Sequence, residues 1–462
     1  MSRKEVILVF DIGKTNKKLF VFDREYAVVE KEYQRFPEQK DEEGFPTEDL
    51  KLLKTWVKER SQFYFSHPVY VVVGMNFSTY GASFVLLDQG KRELLPMYNY
   101  LKPFPEYSKK WLFTFFEGGK EQFEKETSSP FMGMLNSGNQ LLWLKQEKPA
   151  QYRQVNYVLH LPQYFHYLMT GEMVQEYTSL GCHTGMWDFR AQQMAKWLEK
   201  ALPEITWPEV EASVPYRFVK VWGQSVKVGM GIHDSSAALL PYRSLQEPFV
   251  LISTGTWSIC MNPFNHQVLT LEELHKDCLL FLSPEGKSVK ASRLMLGKEY
   301  ALQEKKLADY FGKEKDYHHG FSSQNEMVIP TSFQQPVQYF RWNFSYLRPD
   351  VYDFNNQGEV DFSSFECYEE AYLHLMHELV TLQVASLRLV LEGQSIRHIY
   401  VDGGFIHNKV YLRLLKGMLP EFSIKASVFG NASAIGAAIL VNDRAFEEEK
   451  VYQWVEEEVT FT

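Results

Sequence analysis

An α/β fold in two halves, each built on a mostly parallel sheet, is what this sequence predicts. Three observations predict it. The chain has 462 residues, too many for one hydrophobic core and suited to two of roughly 200–250 residues each. Apolar β-type runs alternate with segments of helical period, the pattern of strands joined by crossover helices. One hairpin plan also occurs twice, half a chain apart: Val6 to Phe10, a glycine turn and Leu19 to Phe22, then Phe249 to Ile252, a glycine turn and Trp257 to Cys260.

The elements follow in order. After the first hairpin, Pro37 to Asp49 (PEQKDEEGFPTED) carries Pro, Gly and acidic residues and reads as a loop. Leu52, Leu53, Trp56 and Val57 recur at helical spacing, and Val69 to Val73 form a buried-strand run closed by Gly74. LNSGNQLLWLKQEKP (Leu135–Pro149) reads as helix, and the apolar YVLHLPQYFHYLM (Tyr157–Met169) continues the alternation. Pro241 to Pro248, with two prolines and polar residues, marks a boundary between a first domain, 1–241, and a second, 249–462. In the second, a long helix is expected from about Tyr368 to Glu392, its face lined by Tyr372, Leu375, Leu379, Leu382, Ala385, Leu389 and Val390. The strand HIYVD, the glycines Gly403 and Gly404, the helix VYLRLLKGML and an Ala/Gly-rich helix from near Ala432 complete it. Glu447–Glu449 and Glu456–Glu458 read as the solvated face of a terminal helix.

Composition excludes several classes. A net charge of −9 with no basic stripe argues against a nucleic-acid partner, which would require clustered Lys and Arg. Cys182, Cys260, Cys278 and Cys367 lie far apart with no CxxC pair, so neither a zinc framework nor a disulfide scaffold is signalled, and a reducing cytoplasm suits them. Five apolar residues before Asp11 are too few for a signal-peptide core, and no run approaches the ~20 residues of a membrane span. There is no GxxxxGK[ST], and the one GxG, at Gly229 and Gly231, lacks the third glycine of a dinucleotide fingerprint. HLMHE (His374–Glu378) has neither zincin order and reads as helix surface.

Three glycine turns carry chemistry instead. Glycine lets backbone N–H groups converge on an anion, and hydroxyls add donors. The first turn offers Gly13, Lys14, Thr15 and Asn16 after Asp11; the second offers Ser253, Thr254, Gly255 and Thr256; the third is Gly403–Gly404 between strand and helix. A hairpin needs such a turn without any ligand, yet two similar tips in opposite halves suit a nucleotide clamp. VGMGIHDSSAALLP places Asp234 at a helix start, as an N-cap or as a carboxylate that accepts the proton of an attacking hydroxyl. In phosphoryl transfer the enzyme aligns the reactants and neutralises phosphoryl charge. Lys14, Lys18, turn N–H groups and Mg²⁺ would supply that neutralisation, with Asp11 a ligand through water.

DIGKTNKK, GIHDSSAAL, STGTWS and VDGGFIHN together resemble the FGGY carbohydrate kinases of the actin-like ATPase superfamily, and NASAIGAAI is similar to the small-residue stretch beside their adenine site. The resemblance spans nearly the whole chain. It implies two ribonuclease-H-like domains with a nucleotide and sugar cleft between them, and transfer of the γ-phosphate of ATP to a ketose hydroxyl with Mg²⁺. By it Asp234 is the catalytic base, and Asp11 and Asp234 serve the metal. Gly13, Lys14, Thr15, Asn16, Lys18, Thr254, Gly255 and Thr256 hold phosphates; Gly403, Gly404 and Asn408 lie by adenosine; Tyr80, Gly81 and His233 touch the sugar.

The motifs look most like those of kinases for 6-deoxy-ketohexoses such as L-rhamnulose or L-fuculose, whose methyl group would need an apolar patch from Phe77, Tyr80 or Trp187. The sequence departs from the family pattern at Lys14, Ser83, Tyr98–Tyr100, Gln163 and Phe405. Lys14 suits a phosphate contact or a solvated turn. A xylulose-type pentulose kinase, a non-catalytic sugar or nucleotide sensor and an actin-like ATPase with protein partners are the alternatives.

Overall fold

The first hairpin positions everything that follows. In the computed structural model, which describes residues 3–211, 215–314, 317–322, 338–342, 360–427 and 430–455, strand β1 (Lys4–Ile12) turns at Gly13–Asn16 into β2 (Lys17–Phe22), and β3 (Val28–Gln34) follows antiparallel. A helix, α1 (Leu50–Phe65), capped by the Asp49 carboxylate on the Leu52 amide, returns the chain to β4 (Tyr70–Thr79) beside β1 and parallel to it. Next come helices α2 (Ser137–Glu147) and α3 (Leu161–Thr170), the hairpin β5 (Tyr216–Val221) and β6 (Gln224–Gly229), and a short strand, β7 (Ile232–His233). Both β6 and β7 pair in parallel with β4, and the main path of this sheet runs β5-β6-β4-β1-β2-β3.

Helix α4 (Asp234–Leu239) leads out of that sheet, and the plan repeats. Strands β8 (Phe249–Thr254) and β9 (Ser258–Asn262) form the second glycine-turn hairpin, and β10 (Cys278–Leu282) and β11 (Ser288–Leu294) extend it antiparallel. Helix α5 (Leu296–Phe311) and the long α6 (Tyr368–Leu391) precede β12 (His398–Gly403), which lies parallel to β8. Helix α7 (Lys409–Met418), strand β13 (Ser423–Ala426), α8 (Ala432–Ile439) and α9 (Glu448–Gln453) finish the described chain. The second sheet runs β10-β11-β9-β8-β12-β13.

Both sheets are mixed, where mostly parallel ones were expected. Short turns can only return a strand antiparallel, whereas a parallel neighbour needs a crossover long enough to hold a helix. Each half spends its first strands on hairpins, so only the later pairings are parallel. The Gly403–Gly404 turn opens into a single 3₁₀ turn, Gly404–His407, before α7 begins. Glu447–Glu449 do lie at the start of α9, and Glu456–Glu458 fall outside the described residues.

One apolar core spans both halves: Ile7 and Val9 of β1, Ala237 of α4, Leu251 of β8, Phe281 of β10, and Ala434 and Ala438 of α8 belong to it. Small residues allow the close approach. A Cβ on Gly436 would overlap the carbonyl of Ala237, so α8 and α4 meet at backbone distance. Asn76 of β4 donates to the Ala437 carbonyl at 2.8 Å, which fastens α8 to the first sheet as well. A second core surrounds α6, where Tyr372, Leu375, Leu379 and Leu382 are fully buried. Among the described residues no helix is long and apolar enough to cross a membrane.

Candidate functional site

The strand ends of both sheets converge where α4 and α8 begin. A cavity of about 190 Å³ there is lined by Asp234 and Ser235 of α4, Ser253 of the second hairpin, Asp402 and Gly403 of the third turn, and Gly430 to Ser433 at the start of α8. Asp11, at the end of β1, reaches the same place: Ser433 Oγ donates to its Oδ1 at 3.0 Å, and Lys18 Nζ stands 4.0 Å from its Oδ2. Burial pushes the Asp11 carboxyl up, and the nearby Asp234 adds to that; Lys18, Ser433 and Ser78 oppose it.

Asp234 is the first residue of α4, and His233 holds the N-cap position. The carboxylate therefore is not the helix cap. Its Oδ1 accepts from the Ser235 amide at 2.7 Å and from the Ser235 hydroxyl at 3.3 Å, and about a third of the side chain stays open to solvent. Burial in the cleft pushes its pKa up to about 6. His233 faces the same oxygen at 3.4 Å, and burial holds its imidazole at about 4, neutral at pH 7. The His233 backbone is fixed from behind: its amide donates to Thr178 Oγ1 at 3.0 Å, and that hydroxyl donates to the buried Glu176 at 2.7 Å. Asp402 is likewise pushed up by burial, to about 6, while the Gly403 amide bonds its Oδ1 at 2.7 Å.

The remaining turn residues divide into those near the cavity and those committed elsewhere. Gly13 N–H bonds Asn16 O at 2.9 Å and Gly255 N–H bonds Trp257 O at 2.8 Å, so each hairpin closes on its glycine, the second with a turn one residue tighter. Thr15, Gly255 and Thr256 are exposed at the tips. Lys14 is paired with Glu48 at 3.3 Å and Glu38 at 3.0 Å and lies over the Tyr80 ring, which makes it a clasp between turn and loop rather than a free cation. Asn16 Oδ1 accepts from Arg35 at 3.2 Å and from the Tyr33 hydroxyl. Thr254 Oγ1 donates to Asp402 O at 2.6 Å and accepts from the Phe405 amide at 3.1 Å, tying β8 to the third turn. Asn408 caps α7 through the Tyr411 amide at 3.1 Å and donates to Tyr372 at 2.8 Å, so its side chain is spent on the fold.

Tyr80, Gly81, Ser83, His160 and His233 border a space of about 10 Å³. Gly81 lies flat against two imidazoles: a Cβ there would stand 3.2 Å from atoms of both His183 and His233. Of the proposed apolar contacts, Phe77 is stacked between Phe10 and Phe165, and Trp187 packs edge-on against Tyr177, so only Tyr80 borders this space. Tyr100 feels the Asp234 charge, its hydroxyl raised to about 12 mainly by burial, whereas Tyr98 packs on Trp143 and Asn99 bonds Pro46 O at 3.0 Å. Gln163 bonds Met230 O at 3.1 Å, and Phe405 turns inward onto Tyr300 and Tyr411. His374 packs against Tyr339 and Phe365, and Glu378 is buried rather than lying on a helix surface.

Sequence reasoning missed Ser433, the Lys17–Glu48 ion pair (3.0 Å, buried), Glu176, Thr178, His160 and His183. Ser433, Lys17, Glu48 and His160 stand in segments already singled out, but their letters do not display the distant partner each one meets.

Residues 6–241 match the N-terminal domain of the FGGY family of carbohydrate kinases, and residues 246–350 match the C-terminal domain of carbohydrate kinase FGGY. The chain belongs to the FGGY family of carbohydrate kinases. It is similar to the rhamnulokinase of Halalkalibacterium halodurans, 27% identical over 195 residues, which are 40% of this chain and 41% of that protein. The rhamnulokinase of Yersinia pestis bv. Antiqua is 28% identical over 213 residues, 42% of this chain and 41% of that protein. The chain thus covers about two fifths of the length of these curated relatives. Its fold is shared with a carbohydrate kinase from Novosphingobium aromaticivorans (TM-score 0.75, 23% identity, 96% of this chain and 92% of that one) and a ligand-bound xylulose kinase from Lactobacillus acidophilus (TM-score 0.79, 15% identity, 99% and 93%).

Proposed function

We propose that this chain is an ATP- and Mg²⁺-dependent kinase that phosphorylates a hydroxyl of a small ketose. The carrying observation is that Asp234, Ser253, Asp402, Gly403 and Ser433 line one cavity, with Asp11 hydrogen-bonded to its rim. The residues present fit both absent groups. Asp11 is a buried carboxylate beside Lys18 and Asp234 a partly open one in the same cleft, an all-oxygen donor set that suits a hard ion. A Cβ on Gly404 would meet no atom within 4 Å, which leaves open space beside the third turn for a flat base. Mg²⁺ would neutralise charge on the transferring phosphoryl group.

Asp234 accepts the proton of the acceptor hydroxyl as the new O–P bond forms and the bond to the leaving ADP oxygen breaks. Its Oδ1 is occupied by Ser235, so Oδ2 is the oxygen left for that hydroxyl. With a pKa of about 6 it is ionised at pH 7 yet more basic than an ordinary carboxylate. His233, neutral and held by Thr178, and the Gly81 backbone position the sugar. The relatives named rhamnulokinase support a 6-deoxy-ketohexose such as L-rhamnulose, and Tyr80 supplies the apolar wall a methyl group needs.

ADP release measured over L-rhamnulose, L-fuculose, L-xylulose and D-xylulose tests this reading. Turnover with one ketose, abolished in Asp234→Asn, is the expected result. Turnover with D-xylulose alone would move the chain to the pentulose kinases, and ATP binding without turnover on any ketose would make it a sensor.

A further inference from the structure

Beyond the oxygen-lined cavity lies a second, chemically different group of donors. One ligand atom each from Cys182, His183 and His233 lie within 4.8 Å of one another. We propose that these three residues form a binding site for a borderline-soft divalent cation of the zinc class, and that an ion held there closes the acceptor side of the cleft. Two imidazole nitrogens and a thiolate are the donors such an ion selects, whereas Mg²⁺ takes oxygen.

The surroundings prepare the donors. His183 Nδ1 faces the Leu135 carbonyl at 3.0 Å, which fixes the tautomer and leaves Nε2 its lone pair. His233 Nδ1 faces Ser236 Oγ at 3.3 Å, an equivalent support for the second ring. The rings meet edge to face with centroids 6.0 Å apart. The Cys182 thiol donates only weakly, to Ser179 O at 3.4 Å. Burial, and to a smaller degree the negative charges of Glu176 and Asp234, push that thiol up to about 12, so an entering cation must displace its proton; Arg293, the positive charge that acts on His183, is paired with Asp277 at 3.0 Å.

Metal–ligand bonds of about 2.0–2.3 Å put tetrahedral donors about 3.4–3.8 Å apart, so the cluster must tighten by about 1 Å. On binding, the Cys182 S–H bond breaks, sulfur bonds the metal and the proton leaves to solvent. The fourth position falls to water or to Asp234, whose Oδ1 is 3.4 Å from the His233 ring nitrogen. Gly81 lies against both rings, so the ion and a sugar on that loop compete for one space.

Co²⁺ titration of the purified chain reads the site directly. One equivalent is expected to give tetrahedral visible bands with a thiolate charge-transfer band, both removed by Zn²⁺. Cys182→Ser should lose the charge-transfer band and His183→Gln should weaken binding at least tenfold, while Cys367→Ser, at an exposed thiol, should change nothing. Absence of tetrahedral bands in the wild type, or identical spectra in Cys182→Ser and His183→Gln, overturns the proposal; if Cys182→Ser does not fold by circular dichroism, His183→Gln decides alone. The inhibitory consequence rests on the kinase reading: Zn²⁺ should raise KM for the ketose in the wild type and not in His183→Gln. The spectra stand without it, so a chain that binds Co²⁺ as expected but phosphorylates no ketose fails the kinase reading and keeps the site.

Discussion

Ser433 donates a 3.0 Å hydrogen bond to Asp11, a residue 422 positions earlier in the chain. The bond joins the first strand of one half to the last buried helix of the other, and it lies where the proposed metal ligand stands. Ser433→Ala removes a hydrogen bond to a carboxylate, worth about 1.5–3 kcal/mol, and lets burial raise the Asp11 pKa further. The Mg²⁺ concentration for half-maximal turnover should rise several-fold, with little change in the ketose KM, as measured by coupled ADP assay.

Asp234→Asn keeps the shape of the site and removes the proposed proton acceptor. Turnover should fall by about 10²–10⁴-fold, while calorimetry still records ketose and nucleotide binding. The Ser235 amide can bond the Asn carbonyl as it bonds Oδ1 now, so the melting temperature should change little.

The pH profile should report the same group. In the proposed role Asp234 works ionised, and its pKa is raised to about 6, so kcat/KM should be complete above that value and fall about tenfold per unit as pH drops below it. An ordinary aspartate would hold its activity down to about pH 4.

The third turn separates packing from binding. Gly403 sits at φ +90°, and a Cβ would overlap the Thr254 carbonyl, so Gly403→Ala should cost about 2–4 kcal/mol in denaturant melts. Gly404→Ala meets nothing and should keep its stability within about 0.5 kcal/mol. Its KM for ATP should nonetheless rise, because the added methyl occupies the space assigned to the base; an unchanged KM removes Gly404 from the nucleotide site.

Glu378, on α6, accepts from the amide of Tyr339 at 2.7 Å and from the Trp342 indole at 2.8 Å, and burial raises its pKa from 4.5 to about 8. Between those values the folded chain keeps a proton the unfolded chain has released, so stability falls as pH rises through the window. Glu378→Gln does not titrate. The wild-type melting temperature, taken relative to that variant, should decline from about pH 5 to pH 8.

Much of this arrangement was legible in the letters. The glycine turns, the strands feeding them and the segment around Asp234 are local features, and local spacing is what a sequence displays. The mixed sheets were less so, because strand direction follows from connection length and not from apolar content. Lys14 and Lys17 look alike in the run GKTNKK, yet the side chain of Lys17 is buried on Glu48 and that of Lys14 is partly open, a difference set by a loop 31 residues away. His183 and Thr178 carry no local mark, and their meeting with His233 depends on the path of the chain between α3 and β7.

Where Gly436 touches the Ala237 carbonyl, main chain rests on main chain, with no side chains between to yield or slide. Such a junction has the geometry of a fulcrum: were one sheet to rotate against the other, the outer edges would swing most and the start of α4, where Asp234 stands, least.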